Sequence, residues 1–246
     1  MQKKYSNGLI LPDLIPGRLI KRYKRFLADV ELDNGDVVTA HCPNTGTMKA
    51  CSEPGRKVYL SFHDNPKRKL KYTWEIIEMP SSMVGVNTLI PNQLVYHSIK
   101  AGKLKTFADY DEIRSEVKVG EKHRLDLMLS KNGPNPSYPD PCYIEIKNCS
   151  LVNEGIACFP DAVTIRGRNH LIELQRLAAS GFRAVMFFLV NRMDAKIFKP
   201  ADHIDPAYGK ELRKAHQNGV EIIVYDVSIN LVQRKIALRK RVPYQL

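Results

Sequence analysis

The sequence predicts an α/β (α+β) protein of two domains, in which a small β-barrel precedes a larger mixed α/β domain. Two observations predict this class. The first 80 or so residues carry short strand-like runs and little helical periodicity, whereas the later residues alternate between strand and helix patterns. A chain of 246 residues is long enough for two modest hydrophobic cores. We therefore place the domains at residues 1–82 and 83–246, with a Pro/Ser-containing linker at 79–82.

Five strands account for the N-terminal domain. We place them at residues 17–23, 26–32, 36–40, 57–62 and 72–78. Asn34-Gly35, between the second and third, is a signal for a tight β-hairpin. Five short strands in a domain of this size fit a small barrel of the OB type, and a fragment of a β-sandwich is the alternative.

The C-terminal domain combines both kinds of element. Helical spacing and helix-ending glycines predict helices at residues 91–101, 168–180 and 206–218. Strand patterns lie at residues 115–119, 125–129, 142–147, 184–190 and 220–225. The tail from residue 231 onward is either a final strand or an arm.

Composition excludes several classes of protein. The longest apolar run, residues 184–190, is far shorter than the roughly 20 residues of a membrane-spanning helix, so we expect no membrane partner. Five cysteines at irregular spacing make a disulfide framework improbable and favour a reducing cytoplasm. The formal net charge of +12, from 38 Lys and Arg against 26 Asp and Glu, indicates a polyanionic partner such as nucleic acid.

Two clusters of cations in the N-terminal domain are interleaved with aromatic residues, an arrangement that suits single-stranded nucleic acid. The candidate nucleic-acid-binding residues there are Arg22, Lys24, Arg25, Lys67, Arg68 and Lys69. Arg166 and Arg168 join them, because they lie near the start of a predicted helix and helix N-termini favour anions. The alternative is that these clusters are solvated strand ends and a solvated first helical turn.

A set of acidic residues lies on three consecutive strand patterns. If the second hairpin closes with Leu129 opposite Cys142, then Asp126 falls opposite Glu145. A three-residue turn at 120–122 in the first hairpin places Glu116 opposite Asp126. Because residues two apart on a strand share a face, Lys147 lies beside Glu145. The sequence thus predicts three carboxylates and one ammonium on one face.

Like charges on a largely buried sheet repel one another, and a hard divalent cation such as Mg²⁺ or Mn²⁺ would relieve the repulsion. Asp126 and Glu145 would be the direct ligands, and Glu116 would hold a second ion or orient water. Lys147 would offset charge on a phosphate and help to position the attacking water. An acidic solvent-facing hairpin with ordinary cross-strand ion pairs is the alternative.

Longer strings extend this pattern into a family resemblance. Asp126, followed after 18 residues by Glu145-Ile146-Lys147, resembles the D…(D/E)-x-K signature of restriction-endonuclease-like nucleases. The chain also resembles the sugar fermentation stimulation protein A family through five strings, which occur in the same order as in the family and are spread over nearly the whole chain. The strings that carry this resemblance are IKRYKRFLADV (20–30), HCPNTG (41–46), VNTLIPN (86–92), YIEIKNCSL (143–151) and FPDAVTIRGRNHLIEL (159–174).

The resemblance implies a DNA-binding, metal-dependent nuclease with an OB-like domain followed by a restriction-endonuclease-like domain, linked to regulation of sugar and maltose metabolism. Asp126, Glu145 and Lys147 occupy the motif positions, and Glu116 corresponds less closely to an additional upstream acid. We expect a DNA partner bound with little sequence specificity, RNA as an alternative, and no nucleotide cofactor. The competing hypothesis is a non-catalytic DNA-binding transcriptional regulator on the same scaffold.

Other residues give weaker signals. Related exonucleases carry Gln-x3-Tyr on the following helix, whereas Gln175 is here followed by Ala179, which puts a role for Gln175 in doubt. The spacing of His41, Cys42 and Cys51 does not favour structural zinc. We expect Asp161 to cap the helix that follows it, and residues 44–46 to form a turn or contact nucleic acid.

Overall fold

The computed structural model describes residues 8–120, 123–131 and 141–246. Its N-terminal part contains seven strands: β1 (Leu9–Ile10), β2 (Leu14–Tyr23), β3 (Leu27–Leu32), β4 (Val37–His41), β5 (Lys57–Phe62), β6 (Tyr72–Met79) and β7 (Ser82–Gly85). Strands β4, β3, β2, β5 and β6 pair antiparallel in that order, and a short parallel pairing of β4 with β6 closes them into a barrel. The predicted five-stranded OB-type barrel is therefore confirmed.

The barrel is filled by the inward-facing residues of its strands. Alternate positions of β3, namely Ala28, Val30 and Leu32, are buried, as expected for a strand with one face on a core. Trp74 and Met48 are among the large side chains that pack with them. Burial of these apolar side chains stabilises the barrel.

The remaining elements build a mixed α/β domain. They are α1 (Ile90–Lys100), a 3₁₀ turn (Lys105–Phe107), β8 (Glu112–Val119), β9 (His123–Ser130), β10 (Cys142–Cys149), β11 (Leu151–Asn153), β12 (Ile156–Phe159), α2 (Ile165–Ala179), β13 (Arg183–Val190), β14 (Ile197–Pro200), α3 (Pro206–Gln217), β15 (Glu221–Asn230) and β16 (Lys235–Arg241). Seven strands form one sheet in the order β1-β16-β15-β13-β10-β9-β8, and β11, β12 and β14 form a small second sheet.

The large sheet is covered on both faces. Side chains on one face of β10 and β13 pack with α1, and those on the other face pack with α2 and α3. β13 is buried along its entire length, which explains why its sequence is a continuous apolar run. None of the helices in the described ranges is long and apolar enough to cross a membrane.

The predicted strand registers are correct. β9 and β10 pair with Leu129 opposite Cys142 and Leu127 opposite Ile144. β8 and β9 pair with Val119 opposite His123, the register that the three-residue turn requires. Residues 121 and 122 of that turn lie outside the described residues. The two hairpins therefore place β8, β9 and β10 side by side, as the sequence predicts.

Three local features differ from the expectations or decide between them. The predicted linker at 79–82 is the turn between β6 and β7, so the boundary after Ser82 falls inside β7. A hairpin turn and a linker share the same Pro/Ser composition, which is why the pattern misleads. N-terminal strand β1 joins the sheet of the second domain by pairing with β16. The tail is a strand, since β16 also pairs with β15.

Candidate active site

Asp126 lies where the large sheet opens. The regular pairing of β9 with β10 ends at Leu127 and Ile144, and the Asp126 side chain fills the gap that follows. Its Oδ2 accepts a hydrogen bond of 2.7 Å from the backbone N–H of Ile146, and its Oδ1 accepts one of 2.8 Å from Nδ2 of Asn92 on α1. Both carboxylate oxygens are thus oriented by fixed donors.

Glu145 faces the α2 side of the sheet and is only 3% exposed. Its Oε1 is contacted by Nζ of Lys147 at 2.5 Å and by Nδ1 of His170 from α2. Nζ of Lys147 also lies 3.1 Å from Nδ1 of His170, so the three groups form one cluster. Within the described residues, Oε2 of Glu145 is buried and has no hydrogen-bond partner. One oxygen is thus held by two nitrogens while the other is left without a partner.

The two carboxyl groups differ in electrostatic environment. Burial, followed by the charge of Glu145, raises the pKa of Asp126 to about 7. Burial also opposes ionisation of Glu145, but hydrogen bonds from His170 and Lys147 and their charges hold the pKa of that carboxyl below its ordinary value. Asp126 and Glu145 repel each other, and the positive charge of Lys147 stabilises mainly the ionised form of Glu145.

The donor set fits a hard divalent cation. Mg²⁺ and Mn²⁺ prefer oxygen ligands, and Mg²⁺ in particular is commonly held by one or two carboxylates, with water and substrate phosphate completing the shell. Oε2 of Glu145, which is buried and has no partner in the described part of the chain, is an oxygen of this kind. No group of three or more His, Cys, Asp or Glu side chains suitable for a metal occurs among the described residues. The candidate ligands are the carboxylates of Asp126 and Glu145.

Glu116 lies on the strand position opposite Asp126, yet its side chain is not part of the cluster. Its backbone is in the left-handed region, with φ of 55°, and its side chain is 59% exposed. The nearest charged partner in the described part of the chain is Arg124, at 3.9 Å. A kinked strand position redirects the side chain although the register is as predicted, and a ligand role for Glu116 stays a prediction.

The candidate nucleic-acid-binding residues of the barrel differ in their surroundings. The guanidinium of Arg22 is occupied by the backbone, since it donates to the carbonyl oxygens of Arg25, Asn44, Gly46 and Thr47. Lys24 and Arg25 are exposed in the turn between β2 and β3. Lys67 and Lys69 are exposed in the β5–β6 loop, and Arg68 there donates to Oγ1 of Thr73. Arg22 therefore holds the loop at residues 44–47 in place, while the exposed cations remain available to bind phosphate.

Arg166 is the predicted binding residue that the fold brings next to the cluster. It is exposed in the first turn of α2 and shares an open cavity of about 390 Å³ with His123, Arg124, Asn169 and His170. His170 is also the histidine that contacts Glu145. Arg168 points elsewhere, into the groove between α2 and α3. A basic opening thus leads towards the buried carboxylates.

Sequence reasoning missed the contacts that Asn92 and His170 make. Both residues occur in strings that carry the family resemblance, VNTLIPN and FPDAVTIRGRNHLIEL, but nothing in their spacing placed them beside Asp126 and Glu145. The expectation that Asp161 caps α2 is wrong, because Thr164 is the cap and accepts from the N–H of Gly167. Gln175 bridges α2 and α3 by donating to Oε1 of Glu211.

Comparisons with known proteins agree with this architecture. Residues 20–86 match the family model described as the SfsA N-terminal OB domain. Residues 89–233 match the model described as the sugar fermentation stimulation protein RE domain.

Similar proteins cover nearly the whole chain. A sugar fermentation stimulation protein homolog of Geotalea daltonii is 46% identical over 95% of this chain and 98% of its own. One of Geobacter sulfurreducens is 48% identical over 96% of this chain and 98% of its own. The solved structure of Pyrococcus furiosus SfsA in complex with Ca²⁺ has the same fold, with a TM-score of 0.87, 24% identity and coverage of 98% of this chain and 100% of that one.

Proposed function

The chain belongs to the sugar fermentation stimulation protein family, and from that premise we propose that it is a nuclease that hydrolyses phosphodiester bonds of DNA, with RNA as an alternative substrate, using Mg²⁺ or Mn²⁺. One observation carries the proposal. Oε2 of Glu145 is buried and has no hydrogen-bond partner among the residues that the structure describes, while Oε1 is held by Lys147 and His170. A buried carboxylate oxygen without a partner is costly unless a cation binds it.

The protein groups around this oxygen have distinct tasks. Asp126 and Glu145 would hold the divalent ion, and Asn92 and the N–H of Ile146 keep Asp126 in place. When bound, the ion lowers the pKa of water and stabilises negative charge that develops on the phosphate. Lys147 places an ammonium group beside Glu145, where it would offset phosphate charge. The exposed Arg166 and Arg124 would attract the phosphate backbone towards the cluster.

Two further observations support a polyanionic substrate and a divalent ion. The net charge of +12 favours association with nucleic acid. A divalent cation, Ca²⁺, is named with the Pyrococcus furiosus relative that has the same fold. The link to maltose metabolism and the cytoplasmic location stay predictions.

A cleavage assay tests the proposal. Labelled single-stranded DNA, double-stranded DNA and RNA of one sequence are incubated with the full chain in Mg²⁺, Mn²⁺ or EDTA. We expect cleavage in the presence of a divalent ion, reduced at least about a hundredfold by Asp126→Asn, Glu145→Gln or Lys147→Met, because each removes a preorganised charge from the site. Glu211→Gln, the same chemical change on α3, is the matched control.

The assay also separates the two hypotheses. Binding of DNA without cleavage in any divalent ion would overturn the nuclease assignment and favour the non-catalytic regulator. Cleavage that survives in Asp126→Asn and Glu145→Gln would assign the activity to a contaminant or to another site.

A further inference from the structure

A second cavity lies between the barrel and the C-terminal domain, at the end of β10. Its volume is about 410 Å³, within the range of about 300–1,000 Å³ typical of small-molecule pockets. The barrel contributes Arg22, Arg25 and residues 44–47, and the other domain contributes residues 148–151 and 158–164. Asp126, Glu145, Lys147 and His170 are not among the residues that line it. The cavity is therefore distinct from the candidate metal site.

The barrel wall of this cavity is held from two sides. Nη2 of Arg22 donates to the carbonyl oxygens of Asn44 and Gly46, each at 2.8 Å. From the other domain, the backbone carbonyl oxygen of Asp161 accepts a hydrogen bond from Oγ1 of Thr47 at 3.0 Å, and its carboxylate Oδ2 accepts one from the N–H of Met48 at 3.3 Å. A wall that is ordered before a ligand arrives avoids much of the entropy loss of binding.

Positive charge dominates the cavity. Burial raises the pKa of the Cys158 and Cys149 thiols, so these lining groups are neutral near pH 7. The remaining ionisable lining groups are two arginines and Asp161, whose carboxylate Oδ2 already accepts hydrogen bonds from Thr47 and Met48 of the loop. The guanidinium of Arg25 is exposed and has no side-chain hydrogen bond in the described part of the chain. A free arginine fork of this kind favours a phosphate ligand.

The rest of the lining suits the sugar and the base that accompany the phosphate in a nucleotide. Hydroxyl and amide groups, which can bind a sugar or the edge of a base, come from Thr45, Thr88, Asn148 and Ser150. Oδ1 of Asn148 is buried and has no hydrogen-bond partner among the described residues. Apolar surface comes from Phe159, Pro160 and the largely exposed Val163. Such surface can pack against the face of a base.

We propose that this interdomain cavity binds a single nucleotide through its phosphate group, either as a free nucleoside monophosphate or as the terminal nucleotide of a strand. The free-nucleotide form is independent of the proposed nuclease activity, whereas the strand-end form rests on it. This site would give a role to two strings whose residues lie largely outside the metal cluster, HCPNTG and the first half of FPDAVTIRGRNHLIEL.

Calorimetric titration of the full chain in EDTA tests the site without cleavage. The probes are nucleoside 5′- and 3′-monophosphates, the unphosphorylated nucleoside and inorganic phosphate. We expect saturable binding of a monophosphate at one site per chain, tighter than binding of the nucleoside or of phosphate alone. Arg25→Gln should weaken it at least about tenfold, the effect of losing one charge-assisted hydrogen bond. Lys49→Gln, an exposed cation just beyond the loop, should leave the affinity unchanged.

Val163→Trp should also weaken monophosphate binding, because a larger side chain at this exposed lining position narrows the cavity without touching the core. Circular dichroism checks that each variant is folded. Absence of saturable nucleotide binding, or equal weakening by Arg25→Gln and Lys49→Gln, would overturn the proposal.

Competition in EDTA distinguishes the two sources of the nucleotide. Displacement of a bound nucleotide by a linear single-stranded oligonucleotide but not by a circular one of the same sequence supports the strand end. Displacement by neither supports a free nucleotide. Equal displacement by the linear and the circular oligonucleotide would overturn a site that binds a single or terminal nucleotide. Each outcome is read without cleavage, so a failed nuclease assay leaves the nucleotide site itself standing and removes only the reason to expect a strand end.

Discussion

The backbone N–H of Ile146 donates to the carboxylate of Asp126 at 2.7 Å, across the gap where β9 and β10 no longer pair. A side chain thus takes the place of the backbone acceptor that a continuing antiparallel ladder would provide. Asp126 therefore stabilises the opened sheet as well as being a candidate metal ligand. Substitutions at this residue change folding and function together, and experiments must separate the two effects.

We expect Asp126→Ala to be less stable than Asp126→Asn by about 1–3 kcal/mol, because alanine leaves the part-buried donors of Ile146 and Asn92 without an acceptor, whereas the amide oxygen of asparagine can still accept from one of them. Both variants lack the carboxylate charge, so the difference does not contain the electrostatic effect of that charge. Urea unfolding of the two proteins in EDTA measures it. Equal free energies of unfolding would show that water satisfies these donors when the side chain is absent.

Glu145 and Glu116 should respond differently to the same substitution. Mn²⁺ at a hundred times its dissociation constant should raise the free energy of unfolding of the parent chain by about 2.7 kcal/mol. Glu145→Gln should abolish this increase, because its buried Oε2 is a proposed ligand. Glu116→Gln should retain it, because Glu116 is 59% exposed and lies beside Arg124. Thermal or urea unfolding with and without Mn²⁺ measures both, and loss in Glu116→Gln would make that residue a ligand.

The parts of the site that depend on local pairing were predictable from the sequence. Period-two alternation and turn length fix strand register, so the placement of Leu129 opposite Cys142 and of Val119 opposite His123 followed from the residues alone. Backbone irregularity was not predictable: nothing in the sequence around Glu116 indicates a left-handed residue within a strand. A correct register therefore does not guarantee a correct side-chain direction.

Contacts between elements that are distant in the sequence could not be predicted either. Asn92 lies 34 residues before Asp126, and His170 lies 25 residues after Glu145, so neither spacing carries a local signal. The two-residue strand β1 joins β16 from the opposite end of the chain. Such contacts follow from how helices and strands pack, which a single sequence does not specify.

His170 should act as a positioning residue for Glu145. It occupies Oε1 together with Lys147, which leaves Oε2 as the oxygen that is free for a cation. We expect His170→Asn to weaken Mn²⁺ binding by about 10–100-fold, the usual effect of removing a group that orients a ligand. Calorimetry with Mn²⁺ measures the affinity. His123→Asn is the matched control, because His123 neighbours His170 at a ring separation of 6.4 Å. Equal affinities for the two variants would contradict this role.

Gly46 and Asp161 should be energetically coupled across the two domains. A Cβ at residue 46 would lie 2.4 Å from Oδ2 of Asp161, closer than two such atoms can approach. Gly46→Ala should therefore destabilise the protein by about 1–3 kcal/mol. In an Asp161→Ala background the obstructing carboxylate is absent, and the same substitution should cost at least about 1 kcal/mol less. A double-mutant cycle by urea unfolding measures the coupling, and additive effects would show that the loop moves aside instead of pressing on Asp161.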